Sequence, residues 1–229
     1  MLWFKGWLET RFRLLFALGL AGFFLASAYS FGFKSPAAVK VFAGNIPLLV
    51  TVIAGMLAGA GISTQPAMQA TQGLHGSMLF TLSMPVSRLR LLSVRAGLGW
   101  LEMAGGIALL CCGMWMLFPL LRSTTTPQEV VKHAITLIAC ASALHFISVL
   151  LATFLDDLWR MYGSMITYAA LWWVSSHTPM PESLNIFRAM GEGSPLMAHT
   201  MPWSAMAFSV ALASGLFFVA FQVVRAREY

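Results

Sequence analysis

The chain has 229 residues, 59% of them hydrophobic and 10% charged, with a formal net charge of +6 and a mean hydropathy of +0.77. A soluble domain carries about a quarter charged residues, so this composition excludes an ordinary water-soluble globule, whose surface so few charges could not cover. The basic excess does not read as a nucleic-acid surface, because the cations form no dense patch and mostly flank apolar runs, the pattern that orients a chain in a membrane.

The apolar runs are continuous and long enough to cross a hydrocarbon layer of about 30 Å at about 1.5 Å per residue, and they lack the two-residue alternation of a barrel strand. The expected fold is therefore all-α, a polytopic membrane helical bundle forming one transmembrane domain over residues 1–229. Six spans are predicted in chain order. The first covers about Phe12 to Phe33, preceded by an interfacial stretch carrying Lys5, Arg11 and Arg13. A cleaved signal is disfavoured there, since the run is long and others follow it. The second covers Val41 to Ile62 and contains Gly55 and Gly59, a GxxxG spacing that lets another helix approach closely, including across a dimer interface. The third starts near Leu91 or Ala96 and reaches Leu120, the fourth covers about Ala134 to Leu155, the fifth Met161 to Ser176 and the sixth Pro202 to Val224. A short helix is expected over Glu182 to Met190, within the segment joining the last two spans.

With both termini cytoplasmic, the inner side collects Lys5, Arg11, Arg13, Arg88, Arg90, Arg95, Arg160, Arg225 and Arg227, against Lys34, Lys40, Arg122, Lys132 and Arg188 outside. This bias favours a multi-pass membrane protein with both ends in the cytoplasm.

Polar groups within the runs are the first candidates for function. Glu102 lies about 16 Å into a third helix beginning at Leu91, near mid-membrane, where an unpaired carboxylate costs several kcal/mol. It is a candidate intramembrane polar site, and Gly105-Gly106 beside it suggests a close helix contact or a flexible point. Asp156, Asp157 and Arg160 follow the fourth run; no third metal ligand accompanies the two carboxylates, which hydration or pairing with Arg160 can satisfy, and a cytosolic contact surface is favoured over metal binding. His133 and His145, more than three turns apart and with no opposing pair, do not suggest haem ligation. The cysteines Cys111, Cys112 and Cys140 lie inside apolar runs without a CxxC spacing and read as buried packing residues. No cofactor is expected in this chain.

The most informative segment is GLHGSMLFTLSMPVSRLRLLSVR, Gly73 to Arg95. Leu74, Met78 and Leu82 recur every four residues and mark a short helix. Pro85 stops it, and Ser87 is placed to cap the next helix. Phe80 and Met84 fall on another side, available to a protein partner. Interfacial chemistry alone also accounts for these features, so a plain connecting helix and a partner-docking loop both fit the residues.

Gly76, Ser77, Leu79, Phe80, Leu82, Ser83, Met84, Pro85, Val86, Ser87 and Arg88 together resemble the loop of ABC-2 type transporter permeases, the membrane subunits of ATP-driven exporters. The resemblance implies a short cytoplasmic coupling helix between the second and third spans, with Gly76 to Ser83 touching an ABC ATPase subunit and Pro85 and Arg88 shaping the exit. It also implies a second permease subunit, identical or similar. Gln69, Gln72 and His75 stand where the family commonly has an acidic residue, and Met84 stands in place of leucine. No GxxxxGK[ST] phosphate loop is present, so ATP hydrolysis is expected in the separate partner, not here. The competing expectation is a non-transporting membrane assembly or sensor protein that docks a partner on its 63–90 loop.

Overall fold

The computed structural model describes residues 4, 7, 15, 18, 19, 21–27, 29, 30, 35–59 and 87–226. Residues 21–27 are helical, and the later helices are α1 (Pro36–Ala58), α2 (Arg88–Leu117), α3 (Pro119–Thr124), α4 (Pro127–Leu151), α5 (Asp157–His177), α6 (Ile186–Met190), α7 (Pro195–Ala198) and α8 (Trp203–Ala226). No strand occurs among the described residues. Four helices among those residues, α1, α2, α4 and α8, are long and apolar enough to cross a membrane. The protein is thus an all-helical bundle of membrane-spanning character.

Local chemistry explains most boundaries. Ser87 caps α2 as expected, its Oγ accepting the Arg90 N–H at 3.3 Å. That helix stops at Phe118, whose extended backbone precedes Pro119; the proline ring disfavours helical geometry in the residue before it. The chain then restarts as α3, so the expected uninterrupted third span to Leu120 is broken three residues early. The fourth helix begins at Pro127, seven residues ahead of expectation, because Thr126 and Glu129 form a reciprocal cap. The Thr126 Oγ accepts the Glu129 N–H at 3.3 Å, while the Glu129 carboxylate accepts the Thr126 N–H at 2.8 Å. In the fifth expected span, α5 is 21 residues long, about 31 Å, but Asp157, Arg160 and its serines hold its apolarity below that of the four spanning helices.

α4 is the central helix, packed by α8, α2, α1, α5, α6 and α7. Its Leu137, Cys140, Ala141, Ala143 and Leu144 are fully buried. Small residues set the distances. A Cβ on Gly55 would sit 3.6 Å from the Leu144 side chain, and one on Gly59 would lie 2.3 Å from Ser148 Oγ. The GxxxG face of α1 therefore packs on α4 of the same chain. Gly105 and Gly106 behave differently: among the described residues a Cβ on either would meet nothing within 4 Å, so those residues supply no close helix contact there. Cys111 and Cys140 are buried as expected, whereas Cys112 is exposed because it lies on the outer face of α2.

The 177–201 segment folds back onto the bundle. Its short helix starts at Ile186, later than the expected Glu182, with Asn185 Oδ1 accepting the Arg188 N–H at 2.9 Å. Ile186, Phe187, Ala189, Met190 and Leu196 join the same core as α1, α2 and α4. At the opposite end, Leu91, Leu92 and Ala96 of α2, Val149 of α4, and Ala220 and Val224 of α8 form a second cluster. The C-terminal ends of α1, α4 and α8 and the N-terminal ends of α2 and α5 consequently lie at one end of the bundle.

Candidate functional site: a buried polar cluster at the end of α1

Gly59, where α1 ends, leads into residues 60–86, and Ser87 begins the chain's return through α2. The sequence-predicted residues Gly76, Ser77, Leu79, Phe80, Ser83 and Pro85 lie outside the described residues, as does the expected coupling helix. The structure instead shows what holds the two ends of that segment.

A helix leaves its last four carbonyls without intrahelical partners and carries partial negative charge at that end. At the end of α1, the Met56 carbonyl accepts from Arg160 Nη1 at 2.7 Å and from Ser148 Oγ at 3.1 Å. Arg160 Nη1 also donates to Ser148 Oγ at 3.0 Å, and Ser164 Oγ donates to the same oxygen at 3.1 Å. One turn further along α5, the Tyr168 hydroxyl donates to the Leu144 carbonyl. Arg160 is 2% exposed and Ser148 and Ser164 are fully buried. A guanidinium taken out of water is tolerated only where hydrogen bonds and a favourable field replace its hydration; the carbonyl end of α1 supplies both.

α2 fits the same end of α1. A Cβ on Gly99 would lie 2.2 Å from the Ala58 carbonyl oxygen and 3.1 Å from His145 Cε1. His145 Nε2 in turn lies 3.1 Å from the Ala96 carbonyl, and Trp100 Nε1 donates to Ser142 Oγ at 2.8 Å. The last turn of α1 is therefore gripped by α2, α4 and α5 together. Arg95 is buried at this end, and Arg88 and Arg90 are exposed on the first turn of α2.

The other sequence candidates separate. Asp156 occupies the N-cap position of α5, exposed and without a side-chain capping bond, and Asp157 is the first residue of that helix. Arg160, expected beside them on a cytosolic contact surface, is turned inward. Its partners were missed in the sequence, although Arg160, Ser164 and Tyr168 recur every four residues, the spacing of one helical face. Glu102 lies 14 residues from the start of α2, about 21 Å along the axis. It is half-buried at a narrow, mainly apolar cleft of about 30 Å³ with Leu18, Ala21, Ala54 and Gly106.

His133 occupies another buried position. Pro47 inside α1 has no N–H, so the Ala43 carbonyl lacks its normal helical donor. His133 faces that carbonyl, outside regular hydrogen-bond geometry. It reads as a local response to the proline.

On the far end of the bundle, two polar clefts of about 570 and 590 Å³ flank the 182–193 stretch, sharing Arg188 and Glu192. Arg188 pairs with Glu182 at 3.0 Å. His199, in left-handed geometry at φ 58°, places its Nδ1 2.7 Å from Glu129 Oε1 and ties this segment to the start of α4. A mainly apolar groove of about 430 Å³ opens between α2, α4 and α8 beside Trp100, Phe146 and Phe217.

No protein-family model, curated protein or solved structure matches this chain.

Proposed function

We propose that this chain is the membrane-spanning subunit of an ABC-type exporter, of the ABC-2 type, which forms a translocation path and couples it to ATP hydrolysis by a separate nucleotide-binding subunit. The observation that carries this reading is the Gly73 to Arg95 stretch: a glycine-led leucine-rich helix pattern, a Pro-Val-Ser-Arg turn and then a long basic-ended helix. The geometry at the segment's ends supports it. A loop that transmits force needs anchored ends, and α1 is anchored at Met56 while α2 starts from a capped Ser87.

The full proposal is six transmembrane helices, with residues 12–33 and α5 joining the four spanning helices. A short cytoplasmic coupling helix lies at Gly76 to Ser83, and both ends of the chain face the cytoplasm. The bundle end that carries Arg88, Arg90, Arg95, Arg160 and Arg225 is then the inner one, in keeping with the positive-inside bias. The protein belongs in the bacterial inner membrane, paired with a second permease subunit. Closure of the ATPases on nucleotide pushes the coupling helices and biases the membrane pair between inward-open and outward-open states. Glu102, midway along α2, is a candidate polar position near that path.

The test is copurification in mild detergent with an ATPase encoded by the same organism, using the intact chain, Phe80→Ala and Arg88→Glu. The expected result is recovery of an ATPase by the intact protein and its loss with either variant, both inserting normally. An intact, folded protein that retains no ATPase in the presence of nucleotide and lipid overturns the proposal.

A further inference from the structure

We infer that Arg160 is a positioning residue that carries displacement of the α1 end into α5, an inference that rests on the exporter reading and names the route by which its loop would act. The buried edge of α5 is polar at Arg160, Ser164 and Tyr168, while Leu158, Trp159, Tyr162, Met165 and Ile166 are exposed. At its N-terminal half, α5 is therefore joined to the bundle through a directional polar seam. Within that seam Arg160 reaches α1 and α4 at once, through the Met56 carbonyl at 2.7 Å and Ser148 Oγ at 3.0 Å.

Hydrogen bonds to a buried guanidinium are short-ranged and directional, so the end of α1 cannot shift by an ångström or more without carrying Arg160 or breaking these bonds. Breaking them takes hydrogen bonds from a buried guanidinium, a loss that favours movement of the helix that bears it. Ser148 reinforces the route, since it accepts from Arg160 and Ser164 while donating to Met56. Gly59 permits that approach, its missing Cβ leaving the space in which Ser148 Oγ sits. Residues 60–86 leave from this same turn, so a push on them reaches Arg160 within one turn of helix.

The test uses the intact chain in complex with its ATPase in lipid nanodiscs, with amide hydrogen exchange followed with and without a non-hydrolysable ATP analogue. In the native chain, nucleotide is expected to change exchange at residues 55–59 and at residues 157–168. In Arg160→Met the change at 55–59 should remain, while that at 157–168 falls about tenfold, within the range of ordinary coupling between sites. Arg160→Lys, which keeps the charge and a donor nitrogen but not the guanidinium fork, should recover part of the response; a merely structural role predicts no such graded rescue. A full native response over 157–168 in a folded, ATPase-bound Arg160→Met overturns the inference. Should that variant fail to insert, Ser148→Ala decides: a reduced response supports the route and an undiminished one overturns it. Failure of the native chain to hold an ATPase overturns the exporter reading and this inference with it, a result distinct from intact binding with undiminished transmission.

Discussion

Replacing Gly99 by alanine sets two effects of opposite sign against each other. In a helix interior alanine is favoured over glycine by about 1 kcal/mol, so on propensity alone the variant is stabilised. At Gly99, however, the added methyl would lie 2.2 Å from the Ala58 carbonyl oxygen, a backbone atom that cannot rotate away. Restoring ordinary contact requires α1 and α2 to separate by about 1 Å, an overpacking penalty of about 1–3 kcal/mol. The same movement draws Ala96 from His145, sacrificing a hydrogen bond worth about 1 kcal/mol, which roughly cancels the propensity gain. The net loss is about 1–3 kcal/mol, or about 2–12 °C in unfolding midpoint for a chain of this size. Gly105→Ala is the control. It lies six residues further along α2, where an added Cβ meets nothing within 4 Å among the described residues, and should leave the midpoint unchanged or raise it by up to about 4 °C. The measurement is thermal unfolding in one mild detergent, followed by tryptophan fluorescence for all three proteins. A Gly99→Ala midpoint equal to or above the native value would refute the reasoning that backbone contact sets the α1–α2 spacing.

Thr126→Ala removes one arm of the reciprocal cap on α4 and should cost about 1 kcal/mol, read as a lowered midpoint in the same assay. Met190→Ala empties a fully buried position beneath the folded-back 177–201 segment and should cost about 2–5 kcal/mol; a loss under about 0.5 kcal/mol would mean that the segment does not pack as described. In detergent, N-ethylmaleimide should label Cys112 ahead of Cys111 and Cys140, with all three reacting after denaturation, as intact-mass measurement would show.

Hydropathy made the spanning helices legible because burying backbone polar groups in lipid leaves few alternatives to helix. Ser87 was also readable, its hydroxyl preceding a helix-forming run directly. Other boundaries depended on stronger local chemistry than hydropathy registers. The Thr126-Pro127-Gln128-Glu129 string contains a complete capping signal, yet its polar residues hid the first two turns of α4 from a reading based on apolar runs. Pro119 likewise carried the break after Phe118. Arg160 illustrates a different limit. Next to two aspartates it reads as a surface cation, and the α1 carbonyl end, which arrives from a hundred residues earlier and favours its burial, does not show in the local sequence. Gly105-Gly106 shows the converse, since a glycine pair reports that close approach is sterically allowed and not that a neighbour is present.

The central position of α4 has a consequence for biogenesis. Chains emerge from the ribosome in order, and early segments begin to fold first. α1 and α2 enter the bilayer before the helix that supports them both exists, and α4 then brings His133, His145 and Ser148 into the bilayer before α5 and α8 have been made. Among the described helices the most extensive neighbour of α4 is α8, which is made last. Truncation ahead of Trp203 would therefore leave inserted helices with their main seam open. Such products should be recognised by membrane quality control as incomplete bundles instead of persisting as smaller folded proteins.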